Sequence, residues 1–196
     1  MLWYELTRWW AYRQIQHPMM RYYVWVVPSV LALLITVIFF ALPVRPSLAG
    51  ENGVLVAIVQ VLALLPGFFI AALAAVATFN RPEMDQIMPA SAPKIKVKRL
   101  GDWIDVELTR RTFLTYLFSY LAVSSLLLTI ICVAANFIAP SFQAMLEVGW
   151  LSKYGCKIEL GLKALSVLVL SYVLSSILIT TLHGIYFICE RIHQPQ

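Results

Sequence analysis

Charged side chains are absent from four long segments of this chain, Tyr22 to Val44, Asn52 to Asn80, Thr112 to Leu146 and Ala164 to Cys189, and crowd into the intervals between them. Each segment holds the roughly 20 mostly apolar residues that an α-helix needs to cross a hydrocarbon layer of about 30 Å. The pattern predicts an all-α membrane protein, a single four-helix transmembrane bundle over residues 1–196 with spans near 22–42, 54–79, 113–138 and 165–188.

Other periodicities add detail. In Met1–Gln16, Leu2, Leu6, Trp9 and Arg13 fall along one helical row, with Trp3, Leu6 and Trp10 beside it. This predicts an amphipathic, aromatic helix lying in the headgroup region, its arginines facing lipid phosphate, before Pro18 turns the chain into the first span. In the second span Leu65-Pro66-Gly67 interrupts the helix, and Gly67, Ala71 and Ala75 follow at i, i+4 and i+8. Such a row lets another backbone approach closely, so it is read as a helix-packing seam that suits self-association. Ser171 and Ser175 in the fourth span are read the same way, within hydroxyl rows that include Ser176, Thr180 and His183. Hydroxyls at this spacing serve as glue between helices, or line a wet path.

Between the second and third spans the period changes. Ile95-Lys96-Val97-Lys98-Arg99-Leu100 and Trp103-Ile104-Asp105-Val106-Glu107-Leu108 flank Gly101-Asp102, which suits a two-residue turn. The expected β-hairpin sets Lys98 against Asp105, Lys96 against Glu107, Val97 against Val106 and Ile95 against Leu108. The loop from Ala139 to Lys163 is expected to be a connector, with a short surface helix around Phe142, Met145, Leu146, Trp150 and Leu151.

Charge fixes orientation. Residues 1–21, 80–111 and the tail carry eleven of the fifteen Lys and Arg residues, and the other two loops carry four. By the positive-inside rule both termini and the loop 80–111 are cytoplasmic. A signal-peptide reading of the first span, suggested by the small-x-small pattern of Ser47-Leu48-Ala49-Gly50, is rejected because the apolar stretch is too long and three more spans follow. The three cysteines form no CxxC pair or zinc spacing; Cys156 alone is expected in the outer loop.

Catalytic chemistry is not legible. The chain has no Gly-rich phosphate loop, HExxH, GxSxG or paired intramembrane carboxylate, and its spans carry no ionisable group apart from His183 near an end. No enzyme activity, metal or cofactor is therefore expected, and a secondary transporter is disfavoured. Lys94, Lys96, Lys98 and Arg99 are four cations within six residues, and two carboxylates cannot neutralise them all. They form a candidate partner-binding patch for an acidic protein surface, anionic lipid or nucleic acid.

With its four spans, the segment from Leu65-Pro66-Gly67-Phe68-Phe69 through Phe79, and Glu107-Leu108-Thr109-Arg110-Arg111-Thr112-Phe113-Leu114, the chain resembles small four-span proteins of bacterial mobile and defence loci. Among these it is most similar to the membrane subunits of the Kiwa antiphage system. That resemblance implies a homo-oligomeric sensor or scaffold of the bacterial inner membrane, which detects phage at the envelope and holds a cytoplasmic, DNA-binding effector. Direct nucleic-acid binding by this chain is not expected, and lipids are its other partners. The competing reading is a pore-forming effector, or a small channel or transport protein.

Overall fold

The computed structural model describes residues 2–44, 46–78, 81–88, 92–99, 102–147 and 152–191. Four helices among these, Pro18–Ala41, Val54–Thr78, Arg110–Phe142 and Leu160–Glu190, are long and apolar enough to cross a membrane. They do not follow one another round a closed ring. Helix α3 (Val27–Ala41) packs on α7 (Ser152–Tyr186), α7 packs on α6 (Arg110–Glu147), and α6 packs on both α4 (Val54–Leu62) and α5 (Leu65–Thr78). The order across the bundle is therefore first, fourth, third, second.

Prolines set the breaks. Pro66 has no N–H to offer the carbonyl of Leu62, and the second apolar helix divides there into α4 and α5. Pro28 likewise denies the carbonyl of Val24 its usual donor, and the turn before it, Tyr22–Val26, is wound as a π-helix. That turn continues α2 (Pro18–Arg21), which has proline in its first turn, where no donor is lost.

The expected outer connector is corrected. Helix α6 is 38 residues long and contains Pro140, and α7 is 35 residues long. The residues after Asn136 are mostly good helix formers, so one lost hydrogen bond at Pro140 does not end the helix. The amide of Gly50, in the loop between the first two apolar helices, donates to Asn136 Oδ1 at 2.9 Å. Gly50 has φ +107°, a conformation that glycine adopts without strain. Beyond this tether α6 runs on for about 16 Å at roughly 1.5 Å per residue. Trp150 and Leu151 lie outside the described residues.

The N-terminal segment is also corrected. It is a short helix, α1 (Leu2–Thr7), continued by a 3-10 helix, Arg8–Gln14, and the latter is packed against α6 rather than laid on a surface. Ala11, Tyr12 and Ile15 are buried. Aromatic rings that would be only partly matched in a headgroup layer find ring and hydroxyl partners on α6 and α7.

The hairpin forms, with a different register. Strand β1 (Lys94–Arg99) pairs antiparallel with β2 (Asp102–Glu107), matching Lys94 with Glu107, Ile95 with Val106, Lys96 with Asp105, Val97 with Ile104, Lys98 with Trp103 and Arg99 with Asp102. Asp102 is thus a strand residue and not part of the turn; Gly101 lies outside the described residues. A shift of two residues keeps every side chain on its expected face. Ile95 and Leu108 are each 1% exposed, and Val97 and Val106 are half-buried.

Of the expected packing residues, Ser171 and Ser175 are buried between helices. Gly67 and Ala71 are exposed and Ala75 is half-buried, so α5 presents that row outward and meets the rest of the chain through residues such as Phe69 and Val76.

Candidate functional site

One end of the bundle collects the N-terminal segment, the hairpin, the start of α6 and the end of α7. The hairpin is mounted there by backbone and side-chain bonds. Gln16 and Lys94 exchange amide hydrogen bonds at 2.9 and 3.4 Å, Arg8 Nη1 donates to the Lys96 carbonyl at 3.0 Å, and the Lys98 amide donates to the Tyr4 hydroxyl at 3.3 Å. Tyr4 meets Trp103 edge-on at 6.1 Å. A two-stranded ribbon is marginal by itself, and these contacts with the buried Ile95 and Leu108 supply what it lacks.

Its outward face is less basic than the sequence suggests. Lys94 Nζ lies 3.6 Å from Glu107 Oε1, with both side chains about half exposed, which makes the pair worth no more than about 1 kcal/mol. Lys96 stands opposite Asp105, and Arg99 opposite Asp102. Strand alternation puts Asp102 on the face of Ile104 and Val106, so the lysine face sets two carboxylates, Asp105 and Glu107, against Lys94, Lys96 and Lys98. Lys98, exposed opposite Trp103, has no carboxylate across from it; the Arg99 side chain lies outside the described residues.

Behind the hairpin, Arg111 ties three elements. Its Nε and Nη2 donate to Asp85 at 2.7 and 3.1 Å, and its Nη1 donates to the Val76 carbonyl at 2.9 Å in the last turn of α5. A guanidinium fork on a carboxylate is a strong, directional pairing, and it holds the Asp85 carboxyl below the usual carboxylate range.

Deeper lies a polar cluster that the sequence reading missed. Tyr12 Oη lies 3.3 Å from His183 Nδ1 and also reaches the Thr180 hydroxyl, and its ring stacks on Tyr120 at 5.5 Å. Tyr120 is hydrogen-bonded to Ser176 at 2.9 Å. Burial foremost, with Tyr120 close by, pushes the Tyr12 phenol up, so it remains neutral. Tyr23 stacks on the His183 ring at 4.9 Å. Ser176 and Thr180 of the expected rows thus meet tyrosines of other elements, whereas Ser125, Thr129 and Thr181, outside those rows, bond back to the Leu121, Ser125 and Ile177 carbonyls of their own helices. Ser175 Oγ is buried without a partner.

The two inward arginines complete it. Arg8 Nη2 donates to the Tyr116 hydroxyl at 2.7 Å. Arg13 Nη2 donates to the Tyr172 hydroxyl and lies 3.5 Å from the Val24 carbonyl, the one that Pro28 leaves without its helical donor. The Arg13 guanidinium sits 4.0 Å from the Trp25 ring centre, 4.8 Å from Trp10 and 5.5 Å from Tyr172. Each such cation–π contact contributes about 0.5–2 kcal/mol. Tyr172 stands about 27 Å of helix before Glu190, at roughly 1.5 Å per residue. The spans carry no Asp, Glu, Lys or Arg of their own, but the N-terminal segment brings the Arg13 charge against them. Charge-free spans gave no sign of it; the only signal was the density of Trp, Tyr and Arg before Pro18.

Within the chain a close approach of helices falls at a glycine outside the expected rows. A Cβ on Gly184 would lie 2.9 Å from Leu117 Cδ2, so the tight contact is between α7 and α6. Among the described residues no group of His, Cys, Asp and Glu is placed to hold a metal ion. Comparisons of the chain with protein-family models, with curated proteins and with solved structures return no match.

Proposed function

We propose that this chain is a non-enzymatic, multi-pass membrane scaffold or sensor that presents its hairpin to a soluble partner. The observation that carries the reading is the mounting of the hairpin: β1 is bonded to the N-terminal segment, and through Arg8 and Tyr116 to α6, while its lysine face stays exposed. A rigidly held polar ribbon at the end of an apolar bundle suits docking better than a loose loop does, because little ordering cost remains on binding. The same connection gives a route by which movement of the apolar helices alters the docking face.

The positive-inside rule puts this end in the cytoplasm, and the resemblance to Kiwa membrane subunits gives the setting: a bacterial inner membrane, phage detection, and a cytoplasmic effector as the partner. Self-association would use the outward row Gly67, Ala71 and Ala75.

The test is affinity purification of the full chain in mild detergent, with identification of the co-eluting partner, repeated for Lys96→Gln/Lys98→Gln. Neutralisation is preferred to charge reversal, which would set like charges across the ladder. The expected result is loss of most of the partner with oligomer size unchanged. Full retention of the partner by this variant would remove the hairpin as the docking surface.

A further inference from the structure

Among the described residues Arg13 is a cation with no anion paired to it. It takes no part in the ion pairs of Lys94 with Glu107 and of Arg111 with Asp85. Its Nε is enclosed without a hydrogen-bond partner, and the groups around its guanidinium are rings, a phenol and a carbonyl. Aromatic faces and dipoles attract a cation but do not neutralise it.

Beside it opens a cavity of about 760 Å³ whose lining contains Arg13, Arg21 and His17 and no Asp or Glu. The same cavity continues along the first apolar helix past Trp25, Val30 and Leu33, all exposed. Its polar end calls for an anion and its apolar wall for hydrocarbon. A free phosphate ester would satisfy the first alone. A zwitterionic lipid would place a second cation beside the arginines, with no carboxylate to receive it.

We infer that this groove binds an anionic phospholipid, its phosphate held at Arg13 and Arg21 and one acyl chain laid along Val30 and Leu33 of α3. The inference rests on the membrane insertion assumed in the proposed function and is independent of the hairpin as a docking surface. The lipid supplies the counter-charge that the bundle lacks and locks the N-terminal segment against the first helix.

The experiment uses the full chain reconstituted in phosphatidylcholine vesicles, doped with equal amounts of either brominated phosphatidylglycerol or brominated phosphatidylcholine. Tryptophan quenching is the readout. Brominated phosphatidylglycerol is expected to quench more strongly, and Trp25→Phe to lose most of the difference. Arg21→Gln, whose side chain is exposed in the wild type, is expected to lower the preference about five-fold and Arg13→Gln to lower it by at least as much, while Lys96→Gln/Lys98→Gln leaves it unchanged. If Arg13→Gln fails to fold by gel filtration, Arg21→Gln carries the result. Equal quenching by the two lipids in the wild type would overturn the proposal, as would a preference that survives Arg21→Gln and disappears only in the hairpin variant. Relief of quenching by inorganic phosphate in the aqueous phase would also overturn it, since the site would then be one for free phosphate.

Discussion

At the scale of single residues the stabilising contacts at the hairpin end are made by tyrosine and arginine, because each combines a ring or planar face with hydrogen-bonding atoms. Asp85 and Arg111 give the most direct test. The carboxyl of Asp85 is held below its ordinary value by the Arg111 hydrogen bonds, so the unfolded chain binds its proton more tightly than the folded chain does. The stabilisation is fully present above the ordinary carboxylate range and is lost as pH falls through the lowered folded value. Thermal unfolding in detergent is expected to show an acid-side decline that is shallower in Asp85→Asn, with the variant and wild type converging at the lowest pH. Parallel curves for the two proteins across that range would mean that the fork does not stabilise the fold.

At the scale of elements, most of what the sequence makes legible is what local chemistry decides. Charge-free stretches longer than the hydrocarbon layer give four helices, and alternating Lys/Val against Ile/Asp/Val/Glu gives two strands with the right faces. The strand register was not legible, because Gly101-Asp102 looks like a favourable turn while Asp102 continues the strand as the register partner of Arg99. Nor was the inward turn of Arg8–Gln14, since amphipathic periodicity is the same whether the second face is a lipid surface or a protein one. Cysteine pairs separate the two registers. In a background with the native cysteines replaced by serine, Lys96→Cys/Asp105→Cys is expected to cross-link under mild oxidant, and Lys96→Cys/Glu107→Cys to do so far less. Preferential linkage of the second pair would restore the register expected from the turn. The candidate site divides likewise: the lysines of β1 are visible as a charge run, but Tyr12 and Arg13 lie 171 and 159 residues from His183 and Tyr172, the partners they meet in the fold.

For the whole molecule, the uneven lengths of the helices have a consequence for topology. The loop between the first two apolar helices is tethered at Asn136, whereas α6 continues to Glu147 and α7 begins at Ser152. If the membrane covers the apolar belt between Arg111 and Asn136, a span of about 37 Å at roughly 1.5 Å per residue, then the ends of α6 and α7 stand clear of it on the side away from the hairpin. Ala144 is exposed in that projecting part, and Leu127 is exposed within the belt. In the same background without native cysteines, a membrane-impermeant maleimide applied to intact cells is expected to label Ala144→Cys rapidly and Leu127→Cys hardly at all, with Lys98→Cys reached only after the cells are opened. This pattern tests span placement and orientation in one experiment, because the three positions sample the far end, the apolar belt and the hairpin. Labelling of Lys98→Cys but not Ala144→Cys in intact cells would reverse the orientation given by the charge distribution, and with it move the proposed docking face to the outer side.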